Sequence, residues 1–323
     1  MKLYPLKFHP IFVDKLWGGD RLRNVLHKDC SDQCGESWEI SAVKGSVSRV
    51  SEGALEGKDL QSLIDEYQGE LVGNRIYSKY GSEFPLLIKF LDANDDLSVQ
   101  VHPNDEQAMQ KHGTRGKTEM WYVLEADEDA TLIAGLNEGI DAEKYQTLFD
   151  EGRIMEALRV EKVDNGDIFF IPAGKVHTIG KGILLAEVQE TSDITYRIYD
   201  FDRIDINGTK RELHVQDALE VINFNDDPES KVDYPRDESS LNLVTCEHFT
   251  TNKISASERE EKDYSGLDSF VIYICTNGGM NLIYDEGEIK LGKGQSVLIP
   301  ASMSSLAVEP DGSVEYLEVY IEE

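Results

Sequence analysis

Short apolar runs punctuated by Asn, Asp and Gly constrain this chain more than any other feature. Stretches 86–91, 97–102, 120–124, 168–171, 183–188, 194–201, 270–275 and 297–299 each have the length of one strand. Turn-forming clusters such as Ala93-Asn94-Asp95-Asp96 and Asp164-Asn165-Gly166-Asp167 separate them. Many short strands joined by such turns predict a sandwich or barrel. Helical spacing is rarer. Leu60, Leu63, Ile64, Tyr67 and Leu71 predict a helix over 59–72, and Tyr145, Leu148, Phe149, Ile154 and Leu158 predict helical turns within 141–159. A third pattern covers 212–222.

The strand units repeat faintly. Residues 162–174 resemble residues 290–302 at a constant offset of 128, each with a turn glycine, a buried strand and then a proline. Two copies of one unit predict two similar β domains. Five residues past Pro172 stands His177, whereas five past Pro300 stands Ser305, so the second copy lacks that histidine. The polar stretch 225–240 has two prolines and little to bury, which suits a linker. The expected division is therefore 1–230 and 231–323.

Charge narrows the partners. The 323 residues carry 32 Lys and Arg against 62 Asp and Glu, a formal net charge of −30. That is the wrong sign for nucleic acid or an anionic membrane surface. A small anionic substrate would need a local Arg and Lys cluster working against the overall field. No apolar run reaches transmembrane length, and Pro5, Lys7 and His9 interrupt the N-terminus where a signal peptide needs an apolar stretch. With Cys30, Cys34, Cys246 and Cys275 as reduced thiols, the expected compartment is the cytoplasm.

One constellation carries chemistry. In 97–103 the alternation places Ser98, Gln100 and His102 on one face, opposite Leu97, Val99 and Val101. In 116–123, Lys117 and Glu119 share a face. Gly166, Pro172, Gly174 and His177 follow as G-x5-P-x-G-x2-H. Two imidazoles, a carboxylate and an amide oxygen suit a borderline divalent metal with positions left open for substrate. Singly, each residue is as well explained by an ordinary structural hydrogen bond; jointly they point to metal. His9, His27, His112, His214 and His248 show no such pattern and fit structural or surface roles. Glu187 follows Ile183 and Leu185 on an inward face, where a carboxylate needs a partner such as Arg197. Arg197 and Arg203 are an even number apart and suit phosphate, or equally pair with Asp200 and Asp202.

At these residues the chain resembles the cupins and, more narrowly, the type I mannose-6-phosphate isomerases (phosphomannose isomerases). The resemblance rests on 97–105, 116–119, 171–177 and 187–203, with Trp17-Gly18-Gly19 and Gly35-Glu36-Ser37-Trp38-Glu39 upstream. It extends to about residue 222 and weakens beyond. The short stretch between Glu119 and His177 resembles the bacterial form, which lacks the helical insert of the long eukaryotic members. Ile179 and Arg203 stand where those carry Tyr and Lys. The resemblance implies a mainly β fold of two cupin-like jelly rolls with a few added helices, the second without metal ligands. It implies one zinc ion per chain on Gln100, His102, Glu119 and His177, and active-site roles for Ser98, Lys117, Glu187 and Arg197. The implied reaction interconverts mannose 6-phosphate and fructose 6-phosphate through an enediol, with Glu187 as leading base, its carboxyl raised by desolvation. Lys117 would orient a hydroxyl or assist ring opening, and Arg203, with Arg197 or Lys117 as further candidates, would bind phosphate. The acidic stretch 104–116 fits either a mobile cover or a static loop. A non-haem iron oxygenase, also built on two His and a carboxylate, and a non-catalytic sugar-phosphate-binding cupin are the competing readings. Oligomeric state is open.

Overall fold

The computed structural model describes residues 2–204, 208–225 and 229–322; Asp226, Asp227 and Pro228 of the expected linker lie outside them. The chain forms three principal antiparallel sheets, with few helices, as the strand punctuation predicts. A six-stranded sheet runs in the order Ile168–Ile171, Glu119–Ala126, Ile183–Glu190, Leu86–Ala93, Cys34–Ile40, Ile11–Gly19. Across from it, a five-stranded sheet runs Leu158–Lys162, Thr131–Leu136, His177–Thr178, Val99–Val101, Tyr196–Tyr199. The remaining sheet, built from Ser240–Thr245 to Ser305–Tyr320, is centred on the long pair Val271–Tyr284 and Ser305–Tyr320.

The central sheet is covered on both faces. All eight residues of Leu86–Ala93 and of Ile183–Glu190 are buried, so these strands lack the polar alternation of a solvent-facing sheet. Period-two geometry sorts them. Leu86, Ile88, Phe90, Leu184, Ala186 and Val188 join one hydrophobic cluster. The same cluster takes Leu63 and Ile64 from the helix Leu60–Tyr67, and Ile272, Ile274 and Leu317 from the remaining, seven-stranded sheet. Leu91, Ala93, Ile183 and Leu185 face the other way, against Leu132 and Ala134 of the five-stranded sheet. The odd-numbered set also carries Lys89 and Glu187 into that interior, which makes it the place for polar chemistry.

The repeat survives in the backbone. Gly166 and Gly294 both take positive φ, 79° and 78°, immediately before the matching strands Ile168–Ile171 and Ser296–Ile299. Only glycine adopts that conformation without strain. Helices form at Leu60–Tyr67 and Gly69–Val72, Ala142–Asp150 and Val215–Val221, within the windows their periodicity predicts; Asn74–Tyr80 adds a helix the pattern does not reveal. The stretch 104–116 is a capped helix, Asp105–His112, in which Asn104 and Gln107 form a capping box. No helix among the described residues is long and apolar enough to cross a membrane, and all four cysteines are free.

Candidate metal centre and sugar-phosphate pocket

Strand register assembles the site. On the five-stranded sheet His177 lies opposite Gln100, and Gln100 lies opposite Arg197 on its other side. On the six-stranded sheet Glu187 lies opposite both Trp121 and Lys89, and Lys89 opposite Trp38. The two rows of side chains line one pocket of about 330 Å³ between the sheets. Ser98 and Lys117 line it too. Leu97 lines the pocket rather than the outer face, because the regular strand begins only at Val99 and the alternation fails before it.

Chain geometry delivers the ligand-type residues to one corner. Pro103 ends the extended segment after His102, since a residue before proline favours extended backbone. Gly174 N–H donates to the His102 carbonyl at 2.9 Å, which ties the loop before His177 to His102. Gly174 has φ of 88°, and a Cβ there would lie 3.0 Å from the Val221 carbonyl oxygen, so a side chain would disturb this tie. Glu119 opens its strand opposite Ile171.

The cluster is buried and short of hydrogen bonds. His102, Glu119 and His177 have ligand atoms within 4.8 Å of one another, and all three residues are buried. His177 Nε2 is 3.3 Å from Glu119 Oε1, and His102 Nε2 is 3.9 Å from Oε2. The Gln100 amide lies 3.3 Å from His177 Nε2. The other ring nitrogens are committed: His102 Nδ1 to the Ile194 carbonyl at 2.7 Å and His177 Nδ1 to the Lys175 carbonyl at 2.8 Å. A carbonyl only accepts, so each Nδ1 carries the proton and each Nε2 presents a lone pair to the cluster. Neither Glu119 oxygen accepts a well-directed hydrogen bond despite full burial. The only positive charge in contact with the cluster among the described residues is Lys117, whose Nζ lies 2.7 Å from Glu119 Oε2 and 3.2 Å from His102 Nε2. Lone pairs and an orphaned carboxylate converging on positive charge fit a divalent metal.

Electrostatics agree with that donor set. Burial holds the His102 imidazole well below its ordinary pKa, and Lys117 adds to the effect. Burial likewise pushes His177 down to about 3. Both rings are therefore neutral, as ligation requires. Burial raises the Glu119 carboxyl, with Lys117 pulling against it. Burial works to discharge Lys117, but Glu119 and Glu187 outweigh it and hold the ammonium above its usual range.

Three sequence expectations change. Glu187 pairs with Lys89 at 2.9 Å, not with Arg197, and also accepts from Trp121 Nε1 at 3.0 Å. Burial raises its carboxyl, but Lys89 and Lys117 overcome that and hold it below the usual carboxylate range, opposite to the shift expected of it. Arg203 is not among the residues lining the pocket. The strand stops at Tyr199, and Phe201 and Asp202 take positive φ of 52° and 56°, so the backbone turns and breaks the shared face with Arg197. Arg203 then pairs with Asp200 at 2.6 Å and donates to the Asp96 carbonyl. Arg211 lines the pocket instead, its Nε 2.7 Å from Asp200 Oδ2. Arg197 is held by the Glu212 carbonyl at 2.8 Å and Ser98 Oγ at 3.3 Å, and its backbone N–H donates to His214 Nδ1.

Sequence reasoning missed other lining residues: Lys15, Glu36, Trp38 and Lys89. Lys89 left a signal, being a lone cation in the otherwise apolar run Leu86-Leu87-Ile88-Lys89-Phe90-Leu91. Nothing in spacing points to Arg211.

Fold and site define a cupin-type β enzyme with a candidate divalent-metal centre at one end of a charged pocket. The chain matches the phosphomannose isomerase type I catalytic domain over residues 6–134 and the mannose-6-phosphate isomerase cupin domain over residues 239–321. It is 37% identical over 320 residues to mannose-6-phosphate isomerase ManA of Bacillus subtilis, spanning 96% of this chain and 97% of that one. It is 45% identical over 219 residues to a Streptococcus mutans mannose-6-phosphate isomerase, spanning 66% and 67%. The crystal structure of the mannose 6-phosphate isomerase from Bacillus subtilis superposes with a TM-score of 0.88 at 31% identity, over 99% of this chain and 100% of that one. The chain belongs to the type I phosphomannose isomerase family.

Proposed function

We propose that this chain interconverts mannose 6-phosphate and fructose 6-phosphate, using one zinc ion held by His102, Glu119, His177 and Gln100. The observation that carries this reading is the buried Glu119 carboxylate, without a directed hydrogen bond, set against two imidazoles whose outer nitrogens are pinned to carbonyls. When bound, the metal supplies Lewis-acid charge to the sugar oxygens at C1 and C2.

The protein's own groups supply the rest. An aldose–ketose shift removes the C2 proton, forms an enediol and returns a proton to C1, while the hydroxyl proton passes from O2 to O1. Glu187 is ionised at neutral pH because Lys89 and Lys117 hold it so, and it is positioned as the proton acceptor. Its low pKa makes it a weaker base than a desolvated carboxylate alone, and transfer then gains from the substrate proton becoming acidic beside the positive charge. Lys117, fixed against Glu119, faces the pocket as a charged donor to a sugar hydroxyl or the ring oxygen. Arg197 and Arg211 are the pocket guanidiniums suited to phosphate, with Ser98 orienting Arg197. In a chain of net charge −30, these cations are the local reversal that a sugar phosphate needs.

We also propose that residues 1–230 form the catalytic unit, since every residue assigned a role here lies within it, and that 231–323 form a second cupin-like unit. Four free thiols suit the cytoplasm as its compartment. Isomerisation followed by NMR in deuterium oxide tests the reaction. Solvent deuterium at the transferred carbon supports the enediol route; zinc-loaded protein that forms no isomerised product rejects the reaction.

A further inference from the structure

Lys117 and Glu119 flank Thr118, and one residue grips the Thr118 backbone twice. Glu190 N–H donates to the Thr118 carbonyl at 3.1 Å, and Thr118 N–H donates to Glu190 Oε1 at 2.8 Å. Just upstream, Gly116 N–H donates to Asp105 Oδ1 at 2.8 Å. The other Glu190 oxygen, Oε2, lies 3.0 Å from His248 Nδ1. His248 comes from the turn joining Ser240–Thr245 to Thr250–Ala256, in the seven-stranded sheet, and that turn is closed by Cys246 N–H on the Phe249 carbonyl. Ligand atoms of Asp105, Glu190 and His248 lie within 4.8 Å of one another. So both carboxylates that hold the 116–118 backbone converge on one imidazole from the seven-stranded sheet.

This cluster is a hydrogen-bonded bridge rather than a second cation site. Asp105 Oδ1 and both Glu190 oxygens already face N–H groups, and the Arg115 guanidinium stands 3.9 Å from Asp105. Glu190 is nearly fully buried, its side chain 4% exposed. A buried carboxylate that loses a donor re-aims or takes a proton, and either response loosens its remaining hydrogen bonds.

We infer that His248 is a positioning residue of the isomerase site: by holding Glu190, it fixes the backbone of 116–119 and through it the Glu119 carboxylate and the Lys117 ammonium. The inference rests on the reading of Glu119 as a metal ligand given above. The conserved geometry of an Asn side chain, whose Nδ2 falls near the place of the imidazole Nδ1, gives a rescue that separates positioning from bulk packing.

The test uses the full zinc-loaded chain as wild type, His248→Ala, His248→Asn and His248→Leu. Two readouts are taken: amide hydrogen exchange of 116–119 and zinc affinity by competition with a chromogenic chelator. His248→Ala is expected to speed exchange in 116–119 about tenfold and to weaken zinc binding by about tenfold, the low end of what removing a ligand's direct outer partner costs, because His248 acts through Glu190. His248→Asn is expected to return both to within about threefold of wild type. His248→Leu, which fills much of the same space without a donor, carries the test if His248→Ala does not fold, and is expected to loosen 116–119 likewise. Unchanged exchange and zinc affinity in His248→Ala or His248→Leu overturn the inference, as does an equal loss in His248→Ala and His248→Asn. Wild-type protein that binds zinc without isomerising the sugar phosphate counts against the proposed reaction alone, because neither readout depends on turnover.

Discussion

Replacing Lys89 with Met probes the polar interior of the central sheet. Lys89 Nζ lies 2.9 Å from Glu187 Oε1 and 2.5 Å from Gln189 Oε1, and the Lys89 and Glu187 side chains are only 9% and 3% exposed. Methionine keeps the apolar stem and removes the charge. Glu187 is then left with Trp121 Nε1 as its one directed donor and with Lys117 as its remaining counter-charge. Breaking a buried pair from one side costs about 3–5 kcal/mol, because the stranded charge is not rehydrated. The cost depends on pH. In wild type, Lys89 and Lys117 hold the Glu187 carboxyl down against burial. In the variant, burial dominates and the folded-state pKa rises above the unfolded value of about 4.3. A group with a raised folded pKa gives back stability as pH falls, so the deficit shrinks on acidification. Urea unfolding at about pH 7.5 and about pH 5.5 measures both terms. Adding Glu187→Gln to Lys89→Met removes the stranded charge and is expected to recover more than half the loss at the higher pH. A deficit below about 1 kcal/mol at about pH 7.5, or no recovery in the double variant, would refute the reasoning.

Three further outcomes follow from the same geometry. Glu119→Gln removes the anionic member of the cluster and is expected to lower zinc affinity more than about 100-fold, beyond the roughly 10- to 100-fold that losing only an outer partner costs, measured by chelator competition, with turnover lost in parallel. Arg211→Met is expected to raise KM for the sugar phosphate about tenfold and leave kcat within about threefold, because it removes binding common to ground and transition states; steady-state kinetics decide. Gly294→Ala forces a side chain into φ of 78° with its Cβ 2.7 Å from Leu26 Cβ, and is expected to lower unfolding free energy by about 2 kcal/mol in urea titration.

What the sequence made legible tracks local chemistry. Ile168–Ile171 appears at the predicted bounds because a turn glycine and a proline bracket an apolar run, and its partner Ser296–Ile299 obeys the same grammar. Gln100, His102, Glu119 and His177 could be grouped because strand spacing and the G-x5-P-x-G-x2-H pattern are short-range signals. Arg203 shows the limit. Period-two counting holds only while a strand continues, and two left-handed residues at Phe201 and Asp202 end it. Lys89 reaches the pocket through register with Glu187 on a strand far away in sequence, which no local pattern encodes, and Arg211 reaches it from a loop outside any strand. Burial alone suggested a raised carboxyl for Glu187; the sign reversed because its partner, Lys89, lies 98 residues away. His248 shows no metal-site spacing, and its contact with Glu190 joins residues too far apart in sequence for any local pattern to register.

The most direct test of the account is formation of fructose 6-phosphate from mannose 6-phosphate by purified protein, assayed as isolated, after chelation and after zinc is restored. The account predicts turnover that disappears with the chelator and returns with zinc. Protein that holds the metal and still forms no fructose 6-phosphate would contradict it.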